Sequence, residues 1–415
     1  MAASGTPRVA TGSYGRGARV LSIGLALTGV VTLGYFVLAT YALEEEQYSA
    51  ISLLWSITFI VATVIYRPIE QLLARTVAQG HDFGRVPAII QAGFALTFLV
   101  AALVLRGPLM ELFDGSQALY WILVVAVLAY AVSYFARGYL AGSGRFELYG
   151  GLVFVEAASR VLFPLAVVVG IAGGQTAVAL GIAAAPLFSL VVVPWAVRRR
   201  ADRSKAVIRG ALTMRGGTGF AVSVLIIMAA EQTLINAAVL TTQAIAPVLV
   251  GVVFNALLIV RAPLQLFQAV QGSLLPHLAT AEPREFARAV RTTVLTIGAF
   301  AGAVALGLLA VGPLVMGIFD VDYDYEHLGL AAIGLGMGFH LVAGTLNQAA
   351  LARDRAGRAA LAWLVAAGAF VAWLLTSVVA DPVLRVEVGY LLAAALLSGM
   401  LAMSLRRSGY PPAAQ

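Results

Sequence analysis

The residues able to do chemistry in this chain are few, and they sit where few are expected. Arg67-Pro68-Ile69-Glu70-Gln71 lies at the end of one apolar run, and Arg261-Ala262-Pro263-Leu264-Gln265 lies towards the end of another. In both, Pro follows Arg within two residues and Gln stands four places after it. Arg67, Glu70, Gln71 and Arg75 fall at i, i+3, i+4 and i+8, and Arg261, Gln265 and Gln268 at i, i+4 and i+7, so each set shares a helix face. Glu156, Arg160 and Glu231 interrupt apolar runs as well. Each such charge costs at least about 2.5–3.5 kcal/mol at the bilayer centre, which argues for a partner or a role. Guanidinium forks match phosphate and carboxylate oxygens, so two arginines at matching places point to an anionic ligand. Amides beside them suit hydroxyl groups.

Each of these residues also has a plainer reading. Arg67 could snorkel to the interface or pair locally with Glu70. Glu156 and Arg160, at i and i+4 with the acid first, could neutralise one another, or Arg160 could add to a basic cavity that Glu156 tunes. Glu231 has no base near it in sequence. It suits reversible protonation, as an ion-coupling residue, or a bridge to Arg261. His340, Asn236, Asn255, Asn347 and Gln348 suit hydrogen bonds between helices.

Other chemistries are excluded. Cysteine is absent, the four histidines show no HExxH spacing, and the single lysine, Lys205, follows serine rather than the glycine of a phosphate loop. No metal or cofactor is expected, and neither an ATPase nor a zinc hydrolase fits.

The elements that must hold these residues are membrane helices. Hydrophobic residues make up 61% of the 415 and charged ones 11%, with mean hydropathy +0.92. Soluble domains carry roughly 25% charged residues, so most of this surface must meet lipid. About twelve apolar runs are long enough to span: 20–42, 49–73, 86–105, 117–139, 147–170, 176–197, 215–242, 246–275, 289–312, 327–350, 359–379 and 387–405. With both ends inside, the outer loops hold only Arg106 and Arg385 among the basic residues. The net charge of +7 is thus mostly a topology signal rather than a nucleic-acid footprint. The chain divides into a cytoplasmic tail (1–19), a six-helix bundle (20–197), a basic linker (198–214), a second six-helix bundle (215–405) and a short cytoplasmic tail (406–415).

The two bundles read as a repeat. Arg67 and Arg261 match at an offset of 194 (261 less 67). "LAGSGR" at 140–145 matches "RDRAGR" at 353–358 at an offset of 213 (358 less 145). Six spans per half makes the repeats parallel, with substrate expected between them.

With "EQYSAISLLWSITFIV…RPIEQLLAR" in the second span and "LNQAALARDRAGRAALAWL" around the tenth, the chain resembles the Wzx-type polysaccharide-biosynthesis flippases. These belong to the multidrug/oligosaccharidyl-lipid/polysaccharide exporter superfamily, and the Ala- and Arg-rich style is similar to actinobacterial members. The resemblance implies an all-α, polytopic, V-shaped MATE-like fold working by alternating access. It implies a non-enzymatic role in the bacterial plasma membrane: moving an undecaprenyl-diphosphate-linked oligosaccharide from the inner to the outer leaflet. The chain would act as a monomer, with membrane lipids and glycan-assembly enzymes as partners and no nucleic acid. Arg67, Arg261 and Arg160 would meet the diphosphate, with Glu70, Gln71, Gln265 and Gln268 lining the cavity and Glu231 and Glu156 handling a coupling ion. The rival reading is a proton- or sodium-coupled multidrug/cation antiporter of the same superfamily. A membrane enzyme fits less well, because the outer loops are short and lack paired catalytic groups.

Overall fold

The computed structural model describes residues 11–191, 212–245, 253, 256, 257, 260, 274–316 and 325–406, and these are helical almost throughout. The helices are α1 (Thr11–Ala42), α2 (Glu45–Ala78), α3 (Val86–Val104), the short α4 (Arg106–Glu111), α5 (Gln117–Gly142), α6 (Phe146–Val168) and α7 (Gly174–Ala184), which runs on as a 3-10 turn to Val191. They continue with α8 (Met214–Ile245), α9 (Pro283–Met316), α10 (His327–Ala352), α11 (Ala356–Leu375) and α12 (Pro382–Arg406). Among the described residues, nine helices are long and apolar enough to cross a membrane, and two shorter apolar helices, Leu27–Ala39 and Gly174–Phe188, stand beside them. The expected apolar runs coincide with these helices, except that most of the eighth, 246–275, lies outside the described residues. Among the described residues the chain is all-helical, a polytopic membrane protein whose second half repeats the packing of the first.

The chain forms two compact units, 1–212 and 213–415. In the first, α1 packs along α6, α2 along α5, and α7 on both α5 and α6. In lipid, helices gain little by hiding apolar surface, so close backbone approach matters more. The α2–α5 contact uses Gly138 and Gly142, four apart on one face. A Cβ at either would come within 2.6–2.7 Å of the Glu70 or Ala74 carbonyl. The core between these helices includes Tyr35, Leu54, Tyr66, Leu123, Tyr130 and Ile182.

In the second unit α8 packs on α11, α9 on α10, and α12 on both α10 and α11. The pattern repeats the first: the first span lies on the fifth, and the fourth and fifth lie on the sixth. Gly338 of α10 faces the Ala301 methyl of α9 with no room for a side chain.

The repeat has a sharper register than the sequence match implies. α5 and α10 both run 26 residues, from Gln117 and His327, an offset of 210 (327 less 117). The turns that follow are alike. Gly144 (φ 69°) and Asp354 (φ 59°) both take the left-handed conformation. Arg145 N–H donates to the Leu140 carbonyl and Arg355 N–H to the Ala350 carbonyl, both at 2.9 Å. The partner of Arg145 is therefore Arg355, not Arg358. The shared left-handed turn fixes the register, and the GR dipeptide is a coincidence.

Arg106 and Arg385, the two arginines expected in outer loops, are both tethered. The Arg106 guanidinium stands 5.9 Å from the centre of the Tyr120 ring. Arg385 is buried and donates to the Val379, Leu374 and Ala380 carbonyls, at the negative end of α11.

Candidate functional site

Three helices of the first unit bring polar side chains together at regular helical spacing. From α2 come Trp55, Phe59, Thr63 and Arg67, each four residues on, followed by Glu70 and Gln71. From α5 come Tyr130, Ser133, Tyr134 and Arg137, and from α6 Tyr149, Glu156 and Arg160. They meet in three levels.

At the first level, Arg67 Nη1 lies 3.3 Å from Glu70 Oε2, and the Tyr149 hydroxyl donates to Glu70 Oε1 at 2.6 Å. Glu70 and Gln71 are buried and Arg67 is half-buried, its side chain 15% exposed. The Gln71 Oε1 atom has no hydrogen-bond partner among the described residues.

At the second level, Arg137 Nη2 pairs with Glu156 Oε2, and Ser133 Oγ donates to Glu156 Oε1 at 2.6 Å. Glu156 is 1% exposed. The Arg137 guanidinium also covers the Tyr134 ring at 5.1 Å, and the Tyr134 hydroxyl bonds Thr63 at 3.0 Å. Arg137 is within electrostatic reach of Glu70 and Tyr149 too, which joins the first two levels into one network.

At the third level, Arg160 is 4% exposed. Its Nη2 donates to the Tyr130 hydroxyl at 2.9 Å, and its guanidinium lies 4.5 Å from the Trp55 ring centre and 5.3 Å from that of Phe59. No carboxylate faces it among the described residues, and its Nε is buried without a partner. The aromatic faces supply the attraction that an acid would otherwise give. Further rings extend the stack, with Phe36 4.9 Å and Tyr35 5.4 Å from Trp55.

Glu156 and Arg160 are therefore not a self-neutralising pair. α5 presents Ser133 and Arg137 one turn apart opposite Glu156, and the rings of α2 claim Arg160. Arg137 is the residue that sequence reasoning missed, because it stands near the end of an apolar run and reads as inner-loop charge. Its seven-residue spacing from Tyr130, opposite a lone Glu156, was the available signal.

In the second unit Glu231 of α8 faces His340 of α10, Oε1 to Nε2 3.6 Å. His340 is 1% exposed. Its ring lies edge-on to Trp363 at 5.4 Å and stacks on Tyr390 at 6.3 Å. Trp363 Nε1 donates to Asn347 Oδ1 at 3.2 Å, joining α11 to α10. Asn236 bonds back to Gln232 within α8 instead of crossing to a neighbour. A shallow apolar cleft lined by Val260 and by Phe300, Val304 and Met337 of α9 and α10, among others, carries no charge. Arg261, Gln265, Gln268 and Asn255 lie outside the described residues. Among the described residues, no three His, Cys, Asp or Glu side chains gather where they could hold a metal ion.

No protein-family model matches the chain, and no curated protein does. Solved structures do match over nearly its whole length. A Vibrio cholerae MATE transporter, VcmN, crystallised as a point mutant, aligns with TM-score 0.78 at 12% identity, covering 96% of this chain and 98% of that one. The MATE transporter ClbM in complex with Rb+ aligns with TM-score 0.75 at 14% identity, covering 95% of each chain. The outward-facing conformation of a multidrug resistance MATE family transporter of the MOP superfamily aligns with TM-score 0.69 at 14% identity, covering 95% and 97%. At this identity the likeness is one of architecture, and the chain has the fold of the MATE transporters.

Proposed function

We propose that the chain is an alternating-access transporter that moves a lipid-linked oligosaccharide, carried on a polyprenyl diphosphate, between the leaflets of a bacterial plasma membrane. The observation that carries this reading is the sign of the buried charge in the first unit. Three arginines (Arg67, Arg137, Arg160) stand against two glutamates (Glu70, Glu156), and Arg160 has no acid beside it among the described residues.

A diphosphate crossing hydrocarbon must exchange its water for fixed donors. Arg160 supplies a cation held in place by rings rather than by a competing carboxylate. The Arg67–Glu70 contact at 3.3 Å is longer than the ~2.7–2.9 Å of a tight charged hydrogen bond, so phosphate oxygens can displace it at modest cost. Gln71 offers an amide to sugar hydroxyls. Arg261, Gln265 and Gln268 would act from the second half in the same way.

The rival reading, export of cations or drugs in exchange for protons or sodium, draws on Glu231. That acid pairs with a histidine and not with an arginine.

The test is leaflet exchange of a fluorescent lipid-diphosphate glycan in proteoliposomes. Exchange is expected for the intact chain, and a loss on the order of tenfold or more for Arg160→Gln and for Arg67→Ala with Arg261→Ala. Efflux of cationic dyes without glycan exchange under any ion gradient would overturn the proposal in favour of the rival.

A further inference from the structure

We propose that the outward face of α9 holds an anionic phospholipid, with its headgroup phosphate on Arg284, Arg288 and Arg291 and an acyl chain along the apolar face that follows them. The site goes beyond transport and does not depend on what the cargo is.

α9 is the third span of the second half, and little of it is buried. Its 34 residues are about 51 Å long against about 30 Å of hydrocarbon, so its first turns stand at a membrane interface. Those turns are sorted by face. Phe286 is buried, and the Arg353 guanidinium lies 4.2 Å from its ring centre. Arg353 Nη2 also donates to the Ala281 carbonyl at 3.3 Å. These contacts with the end of α10 set the rotation of α9, and Ile297, Ala301 and Leu308 are buried on the same side as Phe286. Arg284, Arg288 and Arg291, at i, i+4 and i+7, fall on the opposite side, and all three are exposed. Glu285 stands apart from them, 3.9 Å from His277. Among the described residues none of the three arginines has an ion-pair partner.

A bias towards arginine at inner helix ends is expected of any span. The third span of the first half, α3, meets it with Arg85 alone and has no arginine within its length. Three on one face exceed that need, and guanidinium forks match phosphate oxygens. Helical Cα–Cβ bonds tilt towards the N-terminus, here the headgroup side, so Arg291 starts back towards the level of Arg288. The same face runs on through Leu295, Leu306 and Leu309, all exposed, with Gly298 and Gly302 between them. A Cβ at either glycine would meet nothing within 4 Å, which leaves a notch where an acyl chain can lie against the backbone. The face thus carries uncompensated positive charge at one end and hydrocarbon along the rest. An anionic phospholipid has the complementary order. A zwitterionic lipid brings its own ammonium group and gains less.

Native mass spectrometry of the full chain, stripped of lipid in detergent, tests this. Phosphatidylglycerol and phosphatidylcholine with identical tails are offered at equal concentration. The first lipid retained should be phosphatidylglycerol, by about tenfold or more. Arg284→Gln with Arg288→Gln and Arg291→Gln should abolish the preference. Arg198→Gln with Arg199→Gln and Arg200→Gln removes the same charge from the linker and should keep it. Equal retention of the two lipids by the unmodified chain overturns the proposal, whether or not the variants fold. So does an α9 variant that keeps the preference, or a linker variant that loses it. Displacement of the bound phosphatidylglycerol by an equimolar polyprenyl diphosphate would overturn it in favour of a cargo-loading face.

Discussion

Tyr130 and His340 occupy the same position in the two repeats, thirteen residues after the first residue of α5 and of α10. Each is a buried ring that meets a charge from another helix, but the charges are opposite: Arg160 on Tyr130, Glu231 facing His340. One turn or two further on, the contrast continues. Arg137 in α5 corresponds to Asn347 in α10, and Glu156 in α6 to Ala366 in α11. The first unit thus holds its acids against arginines and hydroxyl donors, whereas the second sets Glu231 opposite an imidazole between aromatic walls. One fold repeated twice has been given an arginine-rich half and a half in which rings and amides take the matching positions.

The largest expected effect breaks the arginine-rich half. Arg137→Met takes from the buried Glu156 carboxylate the arginine it pairs with, and breaking a buried pair this way costs about 3–5 kcal/mol. Thermal unfolding in detergent should show a large fall for Arg137→Met. Arg137→Met with Glu156→Leu should recover at least half of that fall, because no stranded charge remains. If the single variant is as stable as the parent, the pair does not hold the unit together and the contrast between the halves fails.

How much of this was legible beforehand follows from what each helix shows the lipid. The spans were readable because the face turned outward must be apolar along its whole length, as in Val86–Val104, where little is buried. Arg160 and Glu231 stood out for the same reason, as charges with no business in hydrocarbon. Their partners did not stand out. Tyr130 looks like an ordinary residue of an apolar helix, and His340 reads only as one of several polar residues suited to bonds between helices. Which of them meets a charge depends on helix rotation and on the register between helices, and no local pattern encodes either. The i,i+4 spacing of Glu156 and Arg160 misled because it is a surface rule, and inside a bundle a facing helix overrides it. The repeat offset was misread for a related reason. Gly-Arg dipeptides recur freely in an Arg-rich chain, whereas the left-handed residue of the turn, Gly144 in one half and Asp354 in the other, keeps no common identity.

A smaller effect sharpens the same comparison at the position matching Arg137. Asn347→Ala removes the acceptor for the buried Trp363 Nε1–H. Leaving that donor unmade costs about 1–3 kcal/mol, with no stranded charge. The fall in melting temperature should be smaller than for Arg137→Met, and it should not change between about pH 5 and 8, the range in which histidine titrates. An effect as large as that of Arg137→Met would mean that the second half is equally dependent on its polar network.

The smallest effect separates a surface histidine from the buried one. His277 lies past the apolar run 246–275, outside the membrane-spanning segments, with Nε2 3.9 Å from Glu285 Oε1. Burial lowers its pKa from the ordinary 6.5, and the Glu285 carboxylate offsets this only in part. A histidine whose pKa is lowered by folding binds its proton more readily when unfolded. Its contribution is therefore full above about pH 6.5 and is lost as pH falls below that. The contact is solvent-screened, with Glu285 47% exposed, so the loss is less than about 1 kcal/mol. His277→Gln should flatten the acid side of the stability curve slightly, read as melting temperature between about pH 7 and 5. The slope that remains is the part owed to other groups. If none remains in His277→Gln, the pH sensitivity of the second half sits at this one contact.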